Sequence, residues 1–197
     1  WSTLSTTATM NAGVQAFAIS AGGSAIAGGL FYTYSDSKIL FIAQWSGSAW
    51  TTLSGELDSQ STAIAVIGTD IYVGGYSLNI PGIPYTTNLA KWDGSSWSAL
   101  GTGVNSWVNA LAVDGADLYV AGKFTAAGGV ANTQYIAKWN GSAWSALSTG
   151  VNSEVYTIAM SGGDVYAGGY FTTAGGVSAK GIAKFNGITW SAVGAFP

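Results

Sequence analysis

The chain contains no cysteine and no histidine among its 197 residues. Without cysteine there can be no disulfide framework and no thiolate metal site. Without histidine the commonest general base disappears, together with the Ser-His and Cys-His nucleophile pairs and every imidazole metal ligand. Charge is also scarce. Charged residues make up 8% of the chain, all six basic residues are lysines, and the net charge is −3. Nucleic acid binding needs clustered Lys or Arg to neutralise phosphates, so no nucleic acid partner is expected. No apolar stripe with a 3.6-residue period runs for a useful length, which argues against helices. Carboxylates are the remaining catalytic material, and no pair of acids stands out, so the chain is expected not to be an enzyme.

What is abundant is apolar surface, glycine and tryptophan. Hydrophobic residues make up 48% of the chain, with 29 Gly and 9 Trp. This is too apolar for disorder and too rich in glycine for a helical protein. The longest apolar run, from Val14 to Phe31, is interrupted by Gly22, Gly23, Gly28 and Gly29. It follows the strand pattern seen elsewhere in the chain, so no membrane span is expected. The first residue is Trp and no basic segment precedes an apolar stretch. The chain is therefore expected to be a processed or trimmed product. Low charge with many Ser and Thr suits an extracellular or cell-surface protein.

The arrangement is repetitive. Ile136 to Leu147 reads IAKWNGSAWSAL, a strand, a tight turn and a second strand. Leu89 to Leu100, Ile42 to Leu53 and Ile182 to Val193 repeat it, and Trp1-Ser2-Thr3-Leu4 is a truncated fifth copy. The hairpin tryptophans Trp1, Trp50, Trp97, Trp144 and Trp190 lie 49, 47, 47 and 46 residues apart. A fixed period in this range marks a repeat architecture. The units run over about 1–49, 50–96, 97–143 and 144–190, with a terminal strand at 190–197, all in one domain.

Within a unit the third repeat gives the pattern. Val108 to Val113 is a first strand, Leu118 to Phe124 a second, Tyr135 to Trp139 a third and Trp144 to Leu147 a fourth. Asp-Gly at 93–94 and Asn-Gly at 140–141 and 186–187 are the dipeptides that tolerate positive φ in hairpins. Four short antiparallel strands per unit of about 47 residues predict an all-β fold, a β-propeller of four four-stranded blades, four-bladed or part of a larger ring. A β-solenoid is the runner-up. First strands such as Ala63-Ile64-Ala65-Val66-Ile67 are apolar without alternation, as a blade covered on both faces requires. The hairpin tryptophans are expected to wedge between blades. The paired glycines at 74–75 and 168–169 are expected to permit close approach of neighbouring backbone.

The strings Ile136 to Leu147, Leu118 to Thr125 and Ala127-Gly128-Gly129 resemble bacterial extracellular propeller repeats. These are similar to the fungal cortical cell-polarity marker family and, more loosely, to kelch repeats. The resemblance covers the whole chain, with the first repeat the most divergent. It implies a secreted or surface-anchored propeller and carries no catalytic residues across, and fold alone does not give function.

Five copies of the W-S-x-L strand make one strand more than four blades need. Trp1-Ser2-Thr3-Leu4 and Trp190-Ser191-Ala192-Val193 then compete for one place, and the loser is a candidate for pairing between chains. Copies of the chain are the expected partner, as an oligomer or filament. The plainer alternative is a chain cut at a repeat boundary, or a terminal strand that frays.

Other recurrent residues have structural readings. Asp70, Asp117 and Asp164 recur at a turn, which argues for capping of the backbone. Asp114 and Asp117 share a turn without the alternating ligands of a calcium loop. Glu56 and Asp58 read as a solvated link. Lys91, Lys138 and Lys184 read as structural pairing or a solvated edge, and Trp45, Trp92, Trp139 and Phe185 as packing. Asn140-Gly141-Ser142 matches a glycosylation acceptor, but its sister repeats explain it as a turn. No cofactor or metal site is expected. One place varies between repeats: Gly13, Gln60, Trp107 and Glu154, each just before a first strand. Trp107 is the candidate for an exposed aromatic that stacks on a glycan or another partner, with loop drift as the plain alternative.

Overall fold

The computed structural model describes residues 13–32, 39–53 and 57–194. It is all-β: four sheets, each of four antiparallel strands, form a four-bladed β-propeller arrangement. Blade one comprises β1 (Val14–Ile19), β2 (Ala25–Tyr32), β3 (Ile39–Trp45) and β4 (Trp50–Thr52). Blade two comprises β5 (Ser61–Ile67), β6 (Asp70–Gly75), β7 (Leu89–Trp92) and β8 (Trp97–Ser98). Blade three comprises β9 (Val108–Asp114), β10 (Asp117–Gly122), β11 (Ile136–Trp139) and β12 (Trp144–Ala146). In blade four, β13 (Val155–Ser161) and β14 (Asp164–Gly169) are followed by a small extra hairpin, β15 (Thr173–Ala174) with β16 (Val177–Ser178). Strands β17 (Ile182–Phe185) and β18 (Trp190–Ala192) complete that blade. The period measured from Trp to Trp therefore begins at the fourth strand of each blade.

The turns follow local chemistry. Asp93 Oδ1 accepts from the backbone N–H groups of Ser95 and Ser96, both at 2.8 Å. Asn140 does the same for Ser142 and Ala143, and Asn186 for Ile188 and Thr189. The following glycines, Gly94, Gly141 and Gly187, take φ of 100°, 94° and 91°. Asn140 is thus held as a turn residue.

The core lies between blades rather than within them. Three apolar clusters occupy the junctions of blades one and two, two and three, and three and four. Each hairpin contributes a cross-strand aromatic pair, Trp92 with Trp97, Trp139 with Trp144 and Phe185 with Trp190, at ring distances of 5.4, 5.3 and 5.2 Å. Trp144 Nε1 donates to the Leu100 carbonyl of the preceding blade at 2.7 Å, and Trp190 Nε1 to Leu147 at 2.8 Å. These two wedges therefore remove apolar area from water and satisfy their one polar atom.

The same bulge occurs at the start of every first strand. Ser61 pairs with Gly75 and Ala63 with Gly74, which leaves Thr62 as the extra residue. Gln15, Asn109 and Tyr156 are extra in the same way in the other three blades. A bulge re-aims its side chain. In blades one to three it aims across the gap to the next blade.

Candidate binding surfaces: blade faces and an aromatic rim

The bulge residues act as clips. Thr62 Oγ1 donates to the Val108 carbonyl at 2.7 Å, joining blade two to blade three. Asn109 Nδ2 donates to the Val155 carbonyl at 2.9 Å and to Glu154 Oε1 at 3.1 Å, joining three to four. In the first junction Gln60 Nε2 donates to Gln15 Oε1 at 2.7 Å, and Ser61 Oγ donates to the Phe41 carbonyl at 2.6 Å. The two glycines beside the bulge do different things. A Cβ on Gly74 would collide with Val108 of the next blade, whereas one on Gly75 would sit 2.6 Å from the Gln60 carbonyl of its own blade. One glycine admits the neighbour and the other admits the incoming loop.

Packing runs from β1 to β5, from β5 to β9 and from β9 to β13. No corresponding packing returns from β13 to β1 among the described residues. Blade one therefore has a trailing face, and blade four a leading face, with no blade against it among the described residues. Phe17 and Ile19 on the first are 58% and 56% exposed, while Ile64 at the place of Phe17 in blade two is 9% exposed. On the other face Thr157 and Ala159 are exposed and Tyr166 is half-buried. Their counterparts Ala63, Ala65 and Tyr72 in blade two are buried.

The loop end of the inner strands carries a rim of aromatic side chains. Trp107, 40% exposed, stacks at 4.9 Å on Tyr76 of blade two, and Lys123 Nζ lies 4.9 Å above its ring. Its carbonyl is fixed by the Lys123 N–H at 2.9 Å. One blade further on, Tyr156 and Tyr170 meet edge to face at 4.9 Å, and the Tyr156 hydroxyl donates to Glu154 Oε2 at 3.1 Å. Trp107 is thus one member of a row, and Tyr76, Lys123, Tyr156 and Tyr170 are functional candidates that the sequence reading passed over. Their signal lay in the residue after each second strand, Tyr76, Lys123 and Tyr170, a place that is aromatic in two of these three repeats.

Of the terminal strands, β18 holds the outer edge of blade four through pairing with β17. Trp190 is buried there, Ser191 and Ala192 are exposed and Val193 is half-buried. Trp1-Ser2-Thr3-Leu4 lies outside the described residues, as does Glu56. Asp58 accepts from the Asn79 N–H at 2.7 Å, the role that Asn105 and Asn152 play in later blades.

The recurrent acids are corrected by the structure. Asp70, Asp117 and Asp164 direct a carboxylate oxygen at Lys91, Lys138 and Lys184, at 3.0, 2.9 and 2.9 Å, rather than at their own turns. The hydrogen bond to Asp117 raises the Lys138 ammonium above its usual range, and Asp70 does the same for Lys91. The signal was present in the sequence: both partners vanish together in the first repeat, where Ser24 and Gln44 stand in their places. Among the described residues no acidic cluster could hold a metal ion, and no helix is long and apolar enough to cross a membrane.

No family model and no curated protein matches the chain. Among solved structures it is similar to the computationally designed Ika8 protein, with 15% identity and a TM-score of 0.51 over 93% of this chain and 61% of that one. It is also similar to the computationally designed Ika4 protein, with 15% identity and a TM-score of 0.49 over 85% of this chain and 92% of that one. The Ika8 likeness is one of fold. The chain spans less than two thirds of the length of Ika8.

Proposed function

We propose that this chain is a structural module that assembles with copies of itself. The observation that carries the reading is the contrast between blade faces. Three junctions are closed by apolar clusters and clips, while the two outermost faces present the same kinds of residue to solvent. Exposed apolar patches of this kind mark interaction surfaces. An extracellular setting, adhesion and kinship with polarity-marker or kelch repeats belong to the same proposal and rest on composition and repeat resemblance. Light scattering across a concentration series tests the assembly reading. The mass should rise above the 20.0 kDa of one chain as concentration increases. A constant 20.0 kDa up to millimolar protein would overturn it.

A second reading is favoured by the rim. Trp107 and Tyr76 are partly exposed amphipathic rings tilted against each other beside a lysine, a surface suited to contact with a glycan. Glycan-array binding that Trp107→Ala abolishes would support it. Binding unchanged by Trp107→Ala, or none at all, would remove it.

A further inference from the structure

The geometry points to a specific joint: the leading face of blade four docks on the trailing face of blade one of a second copy, as each blade docks on the next within the chain. This rests on the self-assembly reading above. It differs from exchange of the terminal strand, because the surfaces that meet are the sides of blades rather than strand edges.

Three rows of residues define a blade junction, and each leaves unused members at the outer faces of the described blades. In the first row a clip reaches from the bulge to the next blade, Thr62 to Val108 and Asn109 to Val155. Tyr156 occupies the fourth bulge, is exposed, and is bonded within its own blade to Glu154. In the second row a small residue receives the first residue of the next blade. Gly28 faces Ser61, Gly74 faces Val108, and Ala121 shares a cluster with Val155. The unused members are Gly168 on blade four and Val14, 48% exposed, on blade one. In the third row apolar side chains interdigitate. Here Thr157 and Ala159 are exposed and Tyr166 half-buried at one end, and Phe17 and Ile19 are exposed at the other.

The rim is also compatible with such a joint. Tyr76 stacks on Trp107 across the junction of blades two and three. Tyr170 stands where Tyr76 does, is 75% exposed, and would meet Gly13, which stands where Trp107 does and has open space around its Cα. A second copy therefore continues an existing interface and needs no new kind of contact. The contact is heterologous, since the two faces differ, so copies close into a ring or run on as a filament according to the rotation per chain.

The test uses two variants of the full chain, Phe17→Glu and Ala159→Glu, each placing a charge on one exposed face. Thermal melts followed by circular dichroism establish that both fold. Each variant alone should stay monomeric at concentrations where the native chain assembles. An equimolar mixture should give a dimer of twice the monomer mass, because it retains one intact pair of faces and no more. If either variant alone assembles like the native chain, or if the mixture stays monomeric, this joint is wrong while self-assembly through another surface stands. A native chain that stays monomeric at every concentration overturns both.

Discussion

Asn109 and Tyr156 occupy the same bulge in neighbouring blades and both bond the Glu154 carboxylate, yet one reaches the next blade and the other does not. Asn109 is half-buried and clips blade three to blade four through the Val155 carbonyl. Tyr156 is exposed, and its hydroxyl finds a partner in its own blade. The backbone device is identical in register, so the difference comes from whether a next blade is present. The same holds at the other end, where Ile64 is buried against blade one and Phe17 in the equivalent place of blade one faces solvent. A blade in this protein is thus a unit whose faces become a core when another blade covers them. Stability resides in junctions, as in other repeat proteins where neighbour interfaces dominate.

The comparison of closed and open junctions can be broken most forcefully at the wedges. Trp144→Ala removes a buried ring and its bond to Leu100, and should cost about 3–5 kcal/mol in urea unfolding. Trp50, the half-buried counterpart in blade one, should cost about 1–2 kcal/mol when truncated, since less area leaves water. Equal costs at the two positions would show that the first wedge is already closed in solution.

The glycine sockets give a smaller, sharper contrast. Gly74→Val drives a side chain into Val108, and should cost about 1–3 kcal/mol through overpacking. Gly168→Val, made in the monomeric Phe17→Glu background, should lower the unfolding midpoint less, because among the described residues no blade faces that position and the new Cβ meets chiefly the methyl of exposed Thr157, at 2.9 Å. A large loss there would mean that the leading face of blade four is covered within one chain.

The smallest effect separates two turns with the same bonding. Asp93 and Asn140 accept the same pair of backbone N–H groups, but only Asp93 titrates. Those bonds, led by the one from Ser95, hold the Asp93 carboxyl well below its ordinary 3.8. Because the folded value is depressed, the contribution of Asp93 is present above pH 3.8 and fades as pH falls toward the folded value. Asp93→Asn should keep the turn and reduce the loss of stability between pH 4 and pH 2. An unchanged acid profile would place the titrating groups elsewhere.

Much of the architecture was legible before any coordinates. Strand, turn and wedge positions recur with the period, and turn chemistry at Asp93-Gly94 and Asn140-Gly141 depends on four consecutive residues, so the third blade emerged with strand ends displaced by two residues or fewer. The lack of alternation in Ala63 to Ile67 follows from two covered faces, with Ile64 packed against blade one and Ala63 and Ala65 against blade three. The bulge at Thr62, just ahead of that run, was not legible, since one inserted residue leaves no mark in composition. The Asp–Lys pairs were readable as residues that come and go together, though their partnership needed a gap of 20 or 21 residues to be folded back.

The sequence by itself determined four blades, because each is built from local turns and from strands that pair with their chain neighbours. Only the tertiary structure decided which face of which blade is covered. That depends on how successive blades rotate and pack, a sum of many small contacts that repeats nearly unchanged in every unit. Phe17 and Ile64, or Tyr156 and Asn109, look equivalent along the chain. Their difference is positional, and it lies in the neighbour that three blades have and the fourth lacks among the described residues.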